Sequence, residues 1–219
     1  MLRGRYTQQI ESLRDDLLRL GSMVEHALGQ AVKSLETWDT VAAAQIINDD
    51  IHIDEAWHAV EARTIHLLAT QQPIVATDLR FMTAVISIAG ELERIGDYAN
   101  SIAKRVRRAA RRATIVTPPS QISELHTLAI QMVHLSLDAF LKQDALIAHS
   151  LGQLDERVDA LTDLVREELL AVARVDAQKI DAVVDMLDVV HAFERAADRA
   201  TNIAERVIYL VTSDVETIN

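Results

Sequence analysis

Residues 92–106 read Leu-Glu-Arg-Ile-Gly-Asp-Tyr-Ala-Asn-Ser-Ile-Ala-Lys-Arg-Val, and residues 193–207 read Phe-Glu-Arg-Ala-Ala-Asp-Arg-Ala-Thr-Asn-Ile-Ala-Glu-Arg-Val. The second phrase repeats the first at a shift of 101. Each copy sets a Glu-x-x-x-Asp pair, Glu93/Asp97 and Glu194/Asp198, inside an apolar frame of helical period. An internal repeat of this kind means that one structural unit is used twice. Working outward, Phe81, Val85, Ile88, Leu92, Ile95, Ala99, Ile102 and Val106 alternate steps of four and three. Ala182, Met186, Val189, Phe193, Ala196, Ala200, Ile203, Val207 and Leu210 do the same. Two sustained a/d seams predict long helices packed in bundles.

The rest of the chain agrees. Its 219 residues are 49% hydrophobic and 4% aromatic, with 6 glycines and 3 prolines, a balance that favours an all-α fold. The prolines, Pro73, Pro118 and Pro119, mark breaks because proline is excluded from helix interiors. Helices are expected over about 5–37, 40–71, 76–112, 121–141, 144–173 and 176–212. Short connections make sequential helices antiparallel neighbours. The expected architecture is therefore two tandem three-helix bundles related by internal duplication, 1–112 and 120–219, joined by a linker at 113–119. Asp39, Asp50 and Asp54 recur as Asp144, Asp155 and Asp159 at a shift of 105, so four residues separate the two shifts within the unit.

Composition also excludes functions. A net charge of −11 argues against nucleic acid as a partner, since phosphates call for a basic face. With no cysteine there are no disulfides, thiolate metal sites or thiol catalysis, which suits a reducing cytoplasm. No signal peptide and no run of ~18 apolar residues is visible, so membrane association is expected only at the periphery. No glycine-rich phosphate loop occurs, and no Ser/His/Asp arrangement can be identified from spacing.

The candidate site is carboxylic. With Leu92 at heptad position a, Glu93 is b and Asp97 is f, both outside the seam and expected on the outer surface. Asp50 and Asp54 form a second i,i+4 pair, with His58 and Glu61 continuing the stripe. Asp155 and Asp159 repeat it, followed by Asp163, while the shift of 105 replaces Glu61 by Arg166. If the two helices of each half are neighbours, four carboxylates share one patch. Like charges at i,i+4 repel by roughly 0.2–0.5 kcal/mol per pair. Arg94 and Arg195 relieve Asp97 and Asp198, whereas Glu93 and Glu194 are expected to lack a basic neighbour at three or four. A multivalent cation would turn that repulsion into coordination, and an oxygen donor set suits Mg²⁺, Mn²⁺, Ca²⁺ or iron. The plain alternative is a solvated acidic face.

These motifs resemble the PhoU family of phosphate-transport regulators. The similarity runs from Leu17 to Val211 and is carried by Gln71-Gln72-Pro73, Asp78-Leu79-Arg80, Glu91–Asp97 and Phe193–Val211. It implies paired three-helix bundles and a non-enzymatic regulator that couples a phosphate ABC importer, through its ATPase subunit, to a sensor histidine kinase. Homodimer formation and multinuclear surface clusters of Fe, Mn, Mg or Zn are implied as well. By that resemblance the first cluster would use Asp50, Asp54, Glu93 and Asp97, and the second Asp155, Asp159, Glu194 and Asp198. Glu61, Asn100 and Asn202 are further candidates in support. The family's Asn four residues after the motif Asp is kept as Asn202 but replaced by Ser101 in the first copy, with Asn100 beside it. The stretch between Pro73 and Asp78 is one residue longer than the family's usual spacing.

Two features admit other readings. Lys104–Arg112 packs six of the 22 basic residues into nine positions. It either complements the helix dipole or faces an anionic partner or lipid headgroups. Glu55-x-x-His58, with Asp188-x-x-His191 as a second candidate, has the spacing of ferritin-like di-iron ligands. That rival requires inward-facing glutamates, which the apolar seams do not offer. A third reading is a helical interaction module without metal. Trp38 and Trp57 are expected to be packing residues.

Overall fold

A computed structural model describes residues 2–71, 73–112 and 114–218. Met1, Gln72, Ala113 and Asn219, which fall in the expected bundle ranges, turn and linker, lie outside the described residues. Among the described residues, six α-helices account for the fold: α1 Leu2–Thr37, α2 Thr40–Thr70, α3 Ala76–Ala109, α4 Gln121–Lys142, α5 Ala145–Val175 and α6 Ile180–Thr212. The expected start of the last helix at 176 is a 3₁₀ turn, Ala177–Lys179, capped by Asp176, and the α-helix proper follows it. Pro73 and Pro118-Pro119 sit in the breaks before α3 and α4.

The duplication is visible in the turns. Trp38 and Gln143, 105 residues apart, both take the left-handed conformation, at φ 54° and 50°. The next residues, Asp39 and Asp144, cap α2 and α5 by accepting hydrogen bonds from backbone N–H groups two and three residues on. Each such cap satisfies donors that the first helical turn leaves orphaned.

Helices α1–α3 pack together, as do α4–α6, and the two sets meet along α3·α6 and α1·α4. All residues of both a/d seams are buried, and they belong to one continuous core. The halves are thus pressed together along two helix pairs in addition to being joined by a linker. Where α1 meets α4, the Leu137 side chain fills the space that a Cβ at Gly21 would take.

The α3·α6 contact engages half of the basic cluster. The helices run antiparallel, so Arg105 meets Asp188 at 3.0 Å, Arg108 meets Asp185 at 3.5 Å, and Arg112 reaches Asp185 at 3.1 Å and Asp181 at 3.9 Å. Asp185 is buried. Three of the six cations thus take part in an ionic ladder between the halves, while Arg107 and Arg108 stand in the last turn of α3, where they complement its dipole. Among the described residues, no helix is long and apolar enough to cross a membrane.

Candidate functional site: two carboxylate clusters

The expected pairs do come together, one cluster between α2 and α3 and one between α5 and α6. In the first, Asp50 lies within the field of Asp54 and Asp97, and Glu93 within that of Asp97, Asp54 and Asp50. In the second, Asp159 feels Asp155, Glu194 and Asp163, and Asp198 feels Glu194 and Asp159. The sides of α3 and α6 that carry these acids abut α2 and α5.

That packing corrects the expected outward placement of Glu93 and Glu194, while Asp97 and Asp198 remain partly open to solvent as expected. The Glu93 side chain is only 15% exposed, and Asp155 is buried at 4%. Position b lies off the helix's own seam, yet the neighbouring helix covers it. Burial is the first cause that raises the pKa of Asp50, Glu93, Asp159 and Asp198, with mutual carboxylate repulsion adding to it. For Asp50 the hydrogen bond from Asn100 and the charge of Lys104 pull the other way.

A cross-helix hydrogen bond anchors each cluster. Asn100 Nδ2 donates to Asp50, and in the equivalent place Thr201 Oγ1 donates to Asp155 at 3.3 Å. Residues 100 and 201 correspond at the shift of 101, and 50 and 155 at 105, so the duplication preserves the interaction while changing its donor. Asn100 thus belongs to the first cluster, as expected. Asn202 does not join the second. It donates to Glu91 at 3.3 Å, as Arg199 does, and so serves the α3·α6 contact. Sequence reasoning passed over Thr201 and Glu91. The registers of 101 and 105, applied together to Asp50 and Asn100, would have found Thr201.

The clusters differ electrostatically. Glu61 lies seven residues beyond Asp54, about 10 Å along the axis, and is not among the charges acting on Asp50 or Glu93. At the corresponding place Arg166 reaches Glu194 at 3.9 Å and Asp163 at 2.9 Å. Glu194 also accepts from or pairs with His191 Nδ1 at 3.0 Å. Glu93 has no basic residue three or four positions away, as expected, but the adjacent Arg94 stands 3.7 Å from it; Glu194 has His191 three residues before it and Arg166 from α5 at 3.9 Å.

The residues suit a hard cation by donor chemistry. They offer oxygen donors, raised carboxylate pKa values and a buried Asn100 Oδ1 with no hydrogen-bond partner beside Asp50. Their resting geometry is less prepared, because among the described residues no three His, Asp or Glu side chains are set to hold one ion. The ferritin-like pattern dissolves: Glu55 pairs with His52, His58 stacks on Trp57 at 4.3 Å, Asp188 pairs with Arg105 and His191 with Glu194. Trp38 and Trp57 pack against the core.

Comparison with known proteins agrees with the duplicated geometry. A family model described as "PhoU domain" matches twice, over residues 17–106 and 122–207. The chain is 34% identical, over the full length of both chains, to a protein of Clostridium acetobutylicum named phosphate-specific transport system accessory protein PhoU homolog. Its identity to the Escherichia coli phosphate-specific transport system accessory protein PhoU is 30%, over 95% of this chain and 86% of that one. The crystal structure of PhoU from Pseudomonas aeruginosa superimposes with a TM-score of 0.89 at 31% identity, covering 95% of this chain and all of that one.

Proposed function

The chain belongs to the PhoU family, and from that premise we propose that it is a non-enzymatic regulator of phosphate uptake and phosphate-starvation signalling. The observation that carries the reading is the double match, one to each half, with relatives named as accessory proteins of phosphate transport along the whole chain. The protein works by binding at the cytoplasmic face of the importer. One surface engages the importer's ATPase subunit and another the phosphate-sensing histidine kinase, and the protein self-associates as a dimer. Such a task needs a stiff scaffold with separate faces, which the two bundles locked by the arginine–aspartate ladder provide. In cells that lack the gene, a phosphate-starvation reporter is expected to be on in abundant phosphate and to be silenced by the wild-type gene. A reporter that stays off in the deletion strain contradicts the reading.

The carboxylate clusters are the proposed regulatory sites. Asp50, Asp54, Glu93 and Asp97 would hold one set of divalent or iron ions, and Asp155, Asp159, Glu194 and Asp198 the other. A bound cation supplies positive charge that neutralises the crowded carboxylates. Asn100 and Thr201 hold one carboxylate of each set in place, and the remaining carboxylates would supply the other oxygen donors. The absence of a preset three-ligand group among the described residues favours a second reading, an interaction module that needs no metal. Melting of chelated protein with and without Mn²⁺ separates the two. A rise in the wild type that is lost in Asp97→Asn/Asp198→Asn supports the metal sites, and no rise supports the metal-free module.

A further inference from the structure

The two halves differ in the side chains they place between their first and second helices. In the first half, α1 and α2 flank a cavity of about 740 Å³ whose lining includes Met23, Ala27, Ala42 and Asp49. A second cavity of about 530 Å³, with Ala56, continues from it and shares Arg19, Met23 and His52. Together they form a groove spanning Ala42 to Ala56 on α2, about 21 Å at 1.5 Å per residue. The second half shows what the same space holds when it is filled. At the shift of 105, Ala27 corresponds to Met132, Ala42 to Ile147, Asp49 to Leu154 and Ala56 to Leu161. Met132 is fully buried, and Ile147, Leu154 and Leu161 pack against the core. Met23 is only partly buried, while its counterpart Leu128 is in the core. The unit thus closes itself with large aliphatic side chains in one copy and leaves their places open in the other.

We infer that this groove is a docking site for an amphipathic α-helix of a partner protein, which inserts a row of Leu, Met or Ile side chains where the second half carries its own. The side chains of the duplicate half state the chemistry of the occupant: unbranched and branched aliphatics spaced along about four helical turns. The walls are two antiparallel helices, so the shape to be filled is that of a third helix, recognised by anchors at i, i+3/i+4 and i+7. Arg19 on α1 and Asp49 on α2 line the first cavity, while at the second Asp16 on α1 pairs with Arg63 on α2, so the lips offer both signs of charge to an occupant whose polar flanks carry acids and bases.

The probe is a fluorescein-labelled 16-residue helical peptide with leucines at i, i+4, i+7 and i+11 and Glu and Lys elsewhere. Its control has the same composition with the leucines spread around the helix. Fluorescence anisotropy is expected to show saturable 1:1 binding of the patterned peptide and at least tenfold weaker binding of the control. The variant Ala27→Met/Ala56→Leu, which copies the second half, is expected to bind the patterned peptide at least tenfold less tightly while melting no lower than wild type. Should that variant fail to fold, the chain's lack of cysteine allows Gln45→Cys to be labelled with bimane in the groove wall. Its emission is expected to shift to the blue on adding the peptide. Equal affinity for the two peptides, unchanged affinity of the folded filled variant, or an unresponsive bimane at saturation would each overturn the inference. So would binding to neutral phosphatidylcholine vesicles that the filled variant loses while its peptide affinity stays unchanged, since the groove would then be a lipid site.

Discussion

Gly96 stands immediately before Asp97, and an added Cβ there would lie 3.1 Å from both Ile53 Cδ1 and Cγ2. In the second half the same crossing is made by Ala197 against Val158, one carbon more on one side and one fewer on the other. The pairs therefore conserve volume at the point where α2 meets α3 and α5 meets α6, next to both carboxylate clusters. Gly96→Ala alone is overpacked by about 1–3 kcal/mol, offset by about 1 kcal/mol of helix propensity. It is expected to destabilise the protein by roughly 0–2 kcal/mol. Ile53→Val alone removes a buried methyl and costs about 0.5–1.5 kcal/mol. In the double variant the Cδ1 contact is gone and the added methyl takes up the space, so the total is expected to fall short of the sum by about 1 kcal/mol. Urea unfolding of the four proteins, read by circular dichroism, measures this coupling directly. Additivity within about 0.3 kcal/mol would refute the claim that the two halves exchange volume at this crossing.

Other outcomes follow from the same structure. Asp185→Asn strands Arg112 and weakens Arg108 between the halves, and is expected to cost about 2–4 kcal/mol in urea unfolding, with part of the ladder exposed enough to fall below the fully buried range. Gln143→Gly relieves an exposed left-handed residue and is expected to add roughly 0.5–1 kcal/mol; Trp38, which packs on the core, is not expected to gain from the same change. Because Asp50, Glu93, Asp159 and Asp198 have raised pKa values, the native state holds their protons more tightly than the unfolded chain. Their contribution to stability is therefore present at acid pH and lost as pH rises from about 4 through the raised values. The difference in unfolding free energy between wild type and Asp50→Asn/Glu93→Gln/Asp159→Asn/Asp198→Asn, taken at a series of pH values without divalent ions, is expected to shift against the wild type across that window. A pH-independent difference would contradict the crowding of these carboxylates.

The helices and their seams were legible because one period controls them: a residue at a or d of α3 or α6 is buried whatever surrounds the bundle. The clusters' membership was legible for a similar reason, since pairs at i,i+4 on neighbouring helices must share a face. Depth was not. Heptad register assigns Glu93 to the flank of its own seam, but whether that flank meets water depends on how closely α2 approaches, and that depends on Gly96 and Ile53, more than forty residues apart. The ladder escaped for want of a partner rather than of a pattern. Arg105, Arg108 and Arg112 step by three and four, and Asp188, Asp185 and Asp181 step by three and four in the opposite direction, which is the signature of an antiparallel pair. Asn202 went astray because the register that aligns it with Ser101 says nothing of Glu91, which lies on the other half.

Binding to the transport machinery is the protein's proposed work. Its most direct test is an equilibrium binding measurement between the purified protein and the purified ATPase subunit of the phosphate importer from the same cell, by analytical ultracentrifugation with Mn²⁺ present. A saturable complex of defined stoichiometry is predicted. Two components sedimenting independently at every concentration would contradict it.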